Sequence, residues 1–208
     1  MVTRTRKTNT EEKILATAAE LFYANGLRGV GIDQVIAESG VAKSTLYVHF
    51  RTKDELVARY LRRTDDSWMA QLQAAAQRAG DDAAAQLVGL FDALLDAFDR
   101  HGFFGCPFVS AAVETGLGSE ARAITVQHTQ RRQAWLTELG AAAGAEDPDS
   151  LARHIGLLID GALASGRLLQ DRAVVDEAKA AARLLVAGHT SRQNRSTTQE
   201  TTQETRKN

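Results

Sequence analysis

Lys43, Ser44, Thr45, Tyr47 and His49 crowd one short segment, with Leu46 and Phe50 set between and after them. Leu46 and Phe50 stand four apart, so on a helix they share one face and pack inward. The ammonium, two hydroxyls, phenol and imidazole are then left on the remaining surface. Such a face suits a polar, anionic partner better than bond-making chemistry. From Lys43 to Lys53 the chain carries Lys43, Arg51 and Lys53 and no acid, which focuses positive charge locally.

Catalytic and metal chemistry has less to stand on. His49, His101, His128, His154 and His189 are scattered, with no His-Glu-x-x-His and no cysteine pair, so no metal or other cofactor is expected. Gly26-x-x-Gly29-x-Gly31 lacks the preceding strand of a dinucleotide fingerprint, and no Gly-x-Ser-x-Gly elbow occurs. The enzyme reading retains only a helical pocket using His154 or His128 with Asp160. Cys106 is ambiguous. It precedes Pro107 at an expected helix start, where a helix dipole would lower a thiol pKa; the alternative is a small buried side chain beside phenylalanines.

The elements that must position the polar segment can be read on either side of it. Val35, Ile36 and Ala37 form the apolar side of a short helix, and Gly40 stops it with a turn that needs no Cβ. Val41 follows as a plug, and Ser44 to Phe50 makes about two turns of a second helix. Gly31 to Phe50 is thus a helix-turn-helix. Upstream, Thr8 and Glu11 have capping-box spacing, and Ile14, Leu15, Ala18, Leu21 and Phe22 recur as one helical stripe ending at Asn25-Gly26. Downstream, Thr52 and Glu55 form a second capping box, opening a long helix through Leu56, Tyr60, Leu61 and Trp68 to about Arg78. Residues 1–9, with Arg4, Arg6 and Lys7, form either a solvated tail or a flexible basic arm adding phosphate or minor-groove contacts.

The remaining chain is alanine-rich and helical. Leu87, Leu90, Phe91, Leu94, Leu95 and Phe98 form one wide apolar face, and Phe103 to Phe108 interrupts the helix before a new one begins at Pro107. Helices follow over Ala121 to Leu139, from Asp147-Pro148 through Ala162, and over Val174 to Val186; from Thr190 the polar tail is expected to be disordered. Phe91, Phe98, Phe103, Phe104, Phe108 and Trp135, with Cys106, are candidates to line an apolar effector pocket or to fill core. Ala162, Ala178, Ala181 and Ala182 are small enough to let two subunits pack through the last two helices.

Composition agrees. The 208 residues are 44% hydrophobic with two prolines and a net charge of −1, which excludes a generally basic coat protein. Nine basic and seven acidic residues lie before Leu61, against 16 and 19 after it. A single cysteine excludes an intramolecular disulfide framework and fits a reducing cytoplasm. No leader pattern opens the chain and no apolar run reaches the ~18 residues of a membrane span.

Ala18-Ala19-x-Leu21-Phe22, Gly26, Ile36-Ala37-Glu38-Ser39-Gly40-Val41, Leu46-Tyr47-Val48-His49-Phe50 and Lys53-x-Glu55-Leu56 together resemble the N-terminal domain of the TetR family of transcriptional regulators. The resemblance implies an all-α chain, with an N-terminal three-helix helix-turn-helix head (residues 10–56) and a C-terminal helical ligand-binding and dimerisation bundle (57–189). A long helix joins the two, and a tail covers 190–208. It places Thr45, Tyr47, Val48 and His49 in the DNA major groove beside Ser44, and Lys43 and Lys53 on phosphate. Two positions depart from the family: Ile32 stands where a phosphate-touching threonine is common, and Ser44 where glycine is. The function implied is a cytoplasmic homodimeric repressor on a palindromic operator, released by a small apolar or aromatic effector. Alternatives are a ligand-independent DNA-binding factor, a thiol-based sensor through Cys106 as in a subset of such regulators, and a helical enzyme.

Overall fold

The computed structural model describes the backbone of residues 2–100 and 102–204, and the side chains of 9–100 and 102–190. Every element among them is helical. By contact the chain forms two compact units, residues 1–68 with 106–129 and residues 69–105 with 130–208. The segment 106–129, assigned by sequence to the effector bundle, therefore belongs with the helix-turn-helix head.

In the first unit, α1 (Val2–Gly29) carries the stripe Ile14, Leu15, Ala18, Leu21 and Phe22 into the core. The helical path breaks at Gly26, whose φ of 77° and ψ of 167° lie outside helical space, so the Asn25-Gly26 stop holds. The start differs: α1 begins at Val2 rather than near Thr8. Extending an existing helix into a polar segment needs no new nucleation, so a capping-box spacing need not mark an end. The side chains of Arg4, Arg6 and Lys7 lie outside the described residues.

Helix α2 (Ile32–Ser39) ends on Gly40, whose φ of 62° puts its N–H on the Ile36 carbonyl at 3.1 Å. Helix α3 (Lys43–His49) follows, then α4 (Lys53–Arg78). At the head of α4, Thr52 Oγ1 accepts from the Glu55 N–H at 3.1 Å, and the Glu55 carboxylate accepts from the Arg51 N–H at 2.9 Å. The capping box forms, with its return bond one residue earlier than the usual pattern. Helix α7 (Pro107–Glu114), with proline in its first turn, and the first half of α8 (Glu120–Ala142) complete this unit. Phe108, Ala111, Ala121 and Ile124 join Leu46, Phe50, Leu56 and Leu61 in one core.

The second unit contains the end of α4, then α5 (Ala83–Gly89), α6 (Asp92–Phe98), the rest of α8, α9 (Pro148–Leu169) and α10 (Ala173–Glu204). Sequence periodicity reads α5 and α6 as one helix. The backbone instead passes through i to i+3 hydrogen bonds at Val88–Phe91, Leu90–Ala93 and Phe91–Leu94, a 3₁₀ step between two short helices. Gly89 explains the crowding there, because a Cβ on it would stand 2.5 Å from that of Ala79. Asp147 caps α9 at the expected helix start, accepting from Ser150, and Asp82 caps α5, accepting from Ala84 and Ala85. The backbone of α10 stays helical through Glu204, past Thr190, where composition predicts a disordered tail; the side chains beyond Thr190 lie outside the described residues.

Candidate nucleic-acid interface

Helix α3 has seven residues and one buried anchor, Leu46, with Phe50 closing its C-terminal end into the same core. That anchoring leaves Ser44, Tyr47 and Val48 exposed, Val48 at 68%. Thr45 is half-buried. No side chain caps the first turn of α3, since its N-cap is Ala42.

Lys43 is held from the neighbouring helix. Its Nζ lies 3.1 Å from Asp33 Oδ1 in the first turn of α2, and both groups face solvent. The hydrogen bond to Asp33 raises the Lys43 pKa first, the Asp33 charge adds to it, and Tyr47 one turn along contributes further. Lys43, Tyr47 and Asp33 therefore form one polar surface shared by the two helices of the motif.

Two residues expected at DNA are engaged elsewhere. The His49 side chain is only 4% exposed, with Nδ1 3.8 Å from Glu11 Oε2 and its ring 6.3 Å from that of Phe50. It packs between α3 and α1, which runs behind the C-terminal end of α3. Lys53 donates through Nζ to the Leu27 carbonyl, closing the corner after Gly26. An ammonium has three donors, so this bond leaves two for another acceptor. Ile32 is half-buried against the core, which accounts for an apolar residue at the start of α2.

Sequence reasoning missed the acids that frame this surface. Asp33 holds Lys43; Glu11 receives Arg59 at 2.7 Å and faces His49; Glu114 of α7 accepts the Arg28 N–H at 2.6 Å while its carbonyl accepts from Arg28 Nε at 2.9 Å. These partners lie 10, 48 and 86 residues apart, and no local spacing signals them.

The candidate effector residues are divided between the two units. Cys106 and Phe108 belong to the first unit, whereas Phe91, Phe98, Phe104 and Trp135 belong to the second. Phe108 is core, stacked on the buried His128 ring at 3.7 Å and 8°. Phe91 is also fully buried. Cys106 sits half-buried as the N-cap of α7. Phe98 and Phe103 pack at 4.7 Å, and Gly166 of α9 admits the Phe103 ring, which would stand 2.9 Å from a Cβ there. Arg167 and Gln170 donate to the Phe104 and Phe103 carbonyls at 2.8 and 3.1 Å. Of the residues behind the enzyme reading, His128 Nδ1 meets Asp65 at 2.7 Å, and Asp160 accepts from Nη1 and Nη2 of the buried Arg132 at 2.7 Å.

Ala162 and Ala182, expected at a subunit interface, face their own core instead. The outward apolar face of α9 is Leu157, Gly161, Ala164 and Leu168, and that of α10 centres on Ala180 and Leu184. No described helix is long and apolar enough to cross a membrane.

This geometry has known counterparts. Residues 14–60 match the sequence pattern of bacterial regulatory proteins of the tetR family. A TetR-family transcriptional regulator from Streptomyces coelicolor, known from its crystal structure, superposes with a TM-score of 0.82 at 31% identity, covering 88% of this chain and 97% of that one. The transcriptional regulator LmrA of Bacillus subtilis is 33% identical over 54% of this chain and 60% of its own length. QacR of Staphylococcus aureus is 35% identical over 30% of this chain and 34% of its own. The matches thus span less than two thirds of either curated relative.

Proposed function

Because the chain belongs to the TetR family of transcriptional regulators, we propose that it is a homodimeric, sequence-specific DNA-binding repressor released by a small effector. The observation that carries this reading is the split character of α3: Leu46 fully buried, Ser44, Tyr47 and Val48 exposed, Lys43 charged beside them. A helix so built can lie in a major groove, with Tyr47 reaching base edges and Val48 meeting a thymine methyl. Lys43 and the two spare donors of Lys53 then serve phosphate. His49 supports the helix from behind rather than reading sequence.

One helix of seven residues makes too few contacts to select a site. Two, held about 34 Å apart by a twofold axis, read a palindrome. The exposed apolar faces of α9 and α10 support pairing through the second unit. The aromatic group Phe98, Phe103 and Phe104 beside α9 supports an apolar or aromatic effector in that unit. Such a ligand releases DNA only if it favours a dimer whose two recognition helices no longer match the operator.

The test is fluorescence anisotropy with duplexes tiled across the DNA upstream of the protein's own coding sequence. One palindromic duplex should bind at least a hundredfold more tightly than mixed-sequence duplex, with two chains per duplex. Equal affinity for all duplexes would overturn sequence-specific regulation.

A further inference from the structure

We propose that Asp33 is a specificity-determining residue that binds no base: it restrains Lys43 so that its ammonium reaches DNA only on a matching site. The inference rests on the DNA-binding reading above and assigns a role to a residue outside the recognition helix.

Three observations lead to it. The Asp33 carboxylate stands in the first turn of α2 and is 83% exposed, yet it reaches across to Lys43 at the start of α3. In a helix-turn-helix the N-terminal residues of the second helix enter the groove while the first helix crosses the sugar-phosphate backbone. A residue of α2 that touches Lys43 is therefore on the side where phosphate runs. Second, the pair is not a buried structural strut: Lys43 and Asp33 are both open to water, so the bond contributes little to folding. Third, Asp33 is the acid that meets Lys43 on the polar surface these two share with Tyr47. A carboxylate facing polyphosphate is repulsive unless a cation lies between them.

The consequence is a competition at one ammonium. On a mismatched duplex the phosphates are not aligned with Lys43; it stays on Asp33, and the pair adds no net attraction. On a matched duplex a phosphate oxygen or base acceptor comes within reach, and Lys43 can bridge it to Asp33 with its remaining donors. Asp33 thus lowers affinity everywhere and lowers it most where the register is wrong. Specificity here arises from an unfavourable element set against the wrong partner.

The experiment uses the full chain, a mixed-sequence duplex of about 30 base pairs, and a high-affinity duplex selected by the wild-type protein from a randomised pool. Affinities are measured across a salt series for wild type, Asp33→Asn, Lys43→Met and the double variant. Asp33→Asn should raise affinity for the mixed-sequence duplex several-fold and steepen its log K against log salt slope by about one unit. Affinity for the selected duplex should change less, so the ratio between them falls. In the Lys43→Met background Asp33→Asn should no longer steepen the slope. Unchanged mixed-sequence affinity and slope in Asp33→Asn would overturn the inference while leaving DNA binding intact. So would a loss of discrimination confined to one base pair, which would make Asp33 a direct reader. A wild-type chain that enriches no duplex from the pool would overturn the underlying DNA-binding reading as well. Unchanged thermal unfolding of Asp33→Asn separates these outcomes from misfolding.

Discussion

Val48 and His49 are neighbours on one helix with opposite duties. Val48 projects from the surface, so Val48→Ala should cost about 1 kcal/mol on the preferred duplex and leave the melting temperature unchanged. His49 is tucked against Glu11 and Phe50, so His49→Ala should lower the melting temperature while the order of preference among duplexes stays as in wild type. Operator mutagenesis read against both variants checks this; a changed base preference for His49→Ala would return that residue to the groove. Lys53 holds the Leu27 carbonyl through one donor and keeps two for the proposed phosphate contact. Lys53→Ala should lose about 1 kcal/mol of stability in urea unfolding and flatten the salt dependence of binding by about one unit. The partition between Leu46 and the exposed side chains was legible in the sequence, since it follows from helical spacing alone. The inward turn of His49 was not, because its partner Glu11 lies 38 positions earlier and only the packing of α1 behind α3 brings it close.

At the level of elements, the turn glycines illustrate what a chain pattern can and cannot reveal. Gly26 and Gly40 both adopt positive φ, and both could be read from the sequence as helix stops. They differ in surroundings. A Cβ on Gly40 would meet only the Lys13 ammonium at 3.7 Å, whereas one on Gly26 would strike the Glu114 carboxylate at 2.8 Å. Gly40→Ala should therefore cost about 1 kcal/mol, the backbone penalty alone. Gly26→Ala should cost more, because a φ of 77° with a ψ of 167° is backbone space essentially confined to glycine and because the Cβ also pushes Glu114 off the Arg28 N–H. Combining each with Glu114→Ala in urea unfolding distinguishes the two: the Gly26 penalty should shrink in that background and the Gly40 penalty should not. Equal penalties in both backgrounds would show that Glu114 does not press on the corner. The corner itself was readable from Asn25-Gly26, but its dependence on α7 was not, since nothing near residue 114 announces a partner 86 positions away. The same holds for the close approach of Gly89 to Ala79 beside the 3₁₀ step, a tertiary contact that no local pattern announces.

For the molecule as a whole, the placement of small residues is what separates a chain's own core from its interface. Alanine is compatible with either, so a helix rich in alanine gives no direction, and Ala162 and Ala182 prove to be interior. Large apolar side chains left in water are more informative, because each carries a cost of exposure that a partner surface would remove. Leu168 and Leu184 are 82% and 77% exposed, on the two helices whose outer faces remain apolar. The assignment of 106–129 to the head was hidden for a related reason: Phe108 and Ile124 read only as apolar, and which core they enter is decided by tertiary contact. If α9 and α10 pair with a second copy, a charge at either leucine would be buried there without a counter-ion, at a cost of several kcal/mol. Leu168→Glu and Leu184→Glu should then sediment as monomers at micromolar concentration while keeping wild-type helicity. A monomer retains one recognition helix, so its weak affinity for mixed-sequence duplex should persist. Its affinity for the selected palindrome should fall by at least a hundredfold, because the second half-site is no longer bound intramolecularly. Variants that remain dimeric would move the subunit interface away from the α9 and α10 faces.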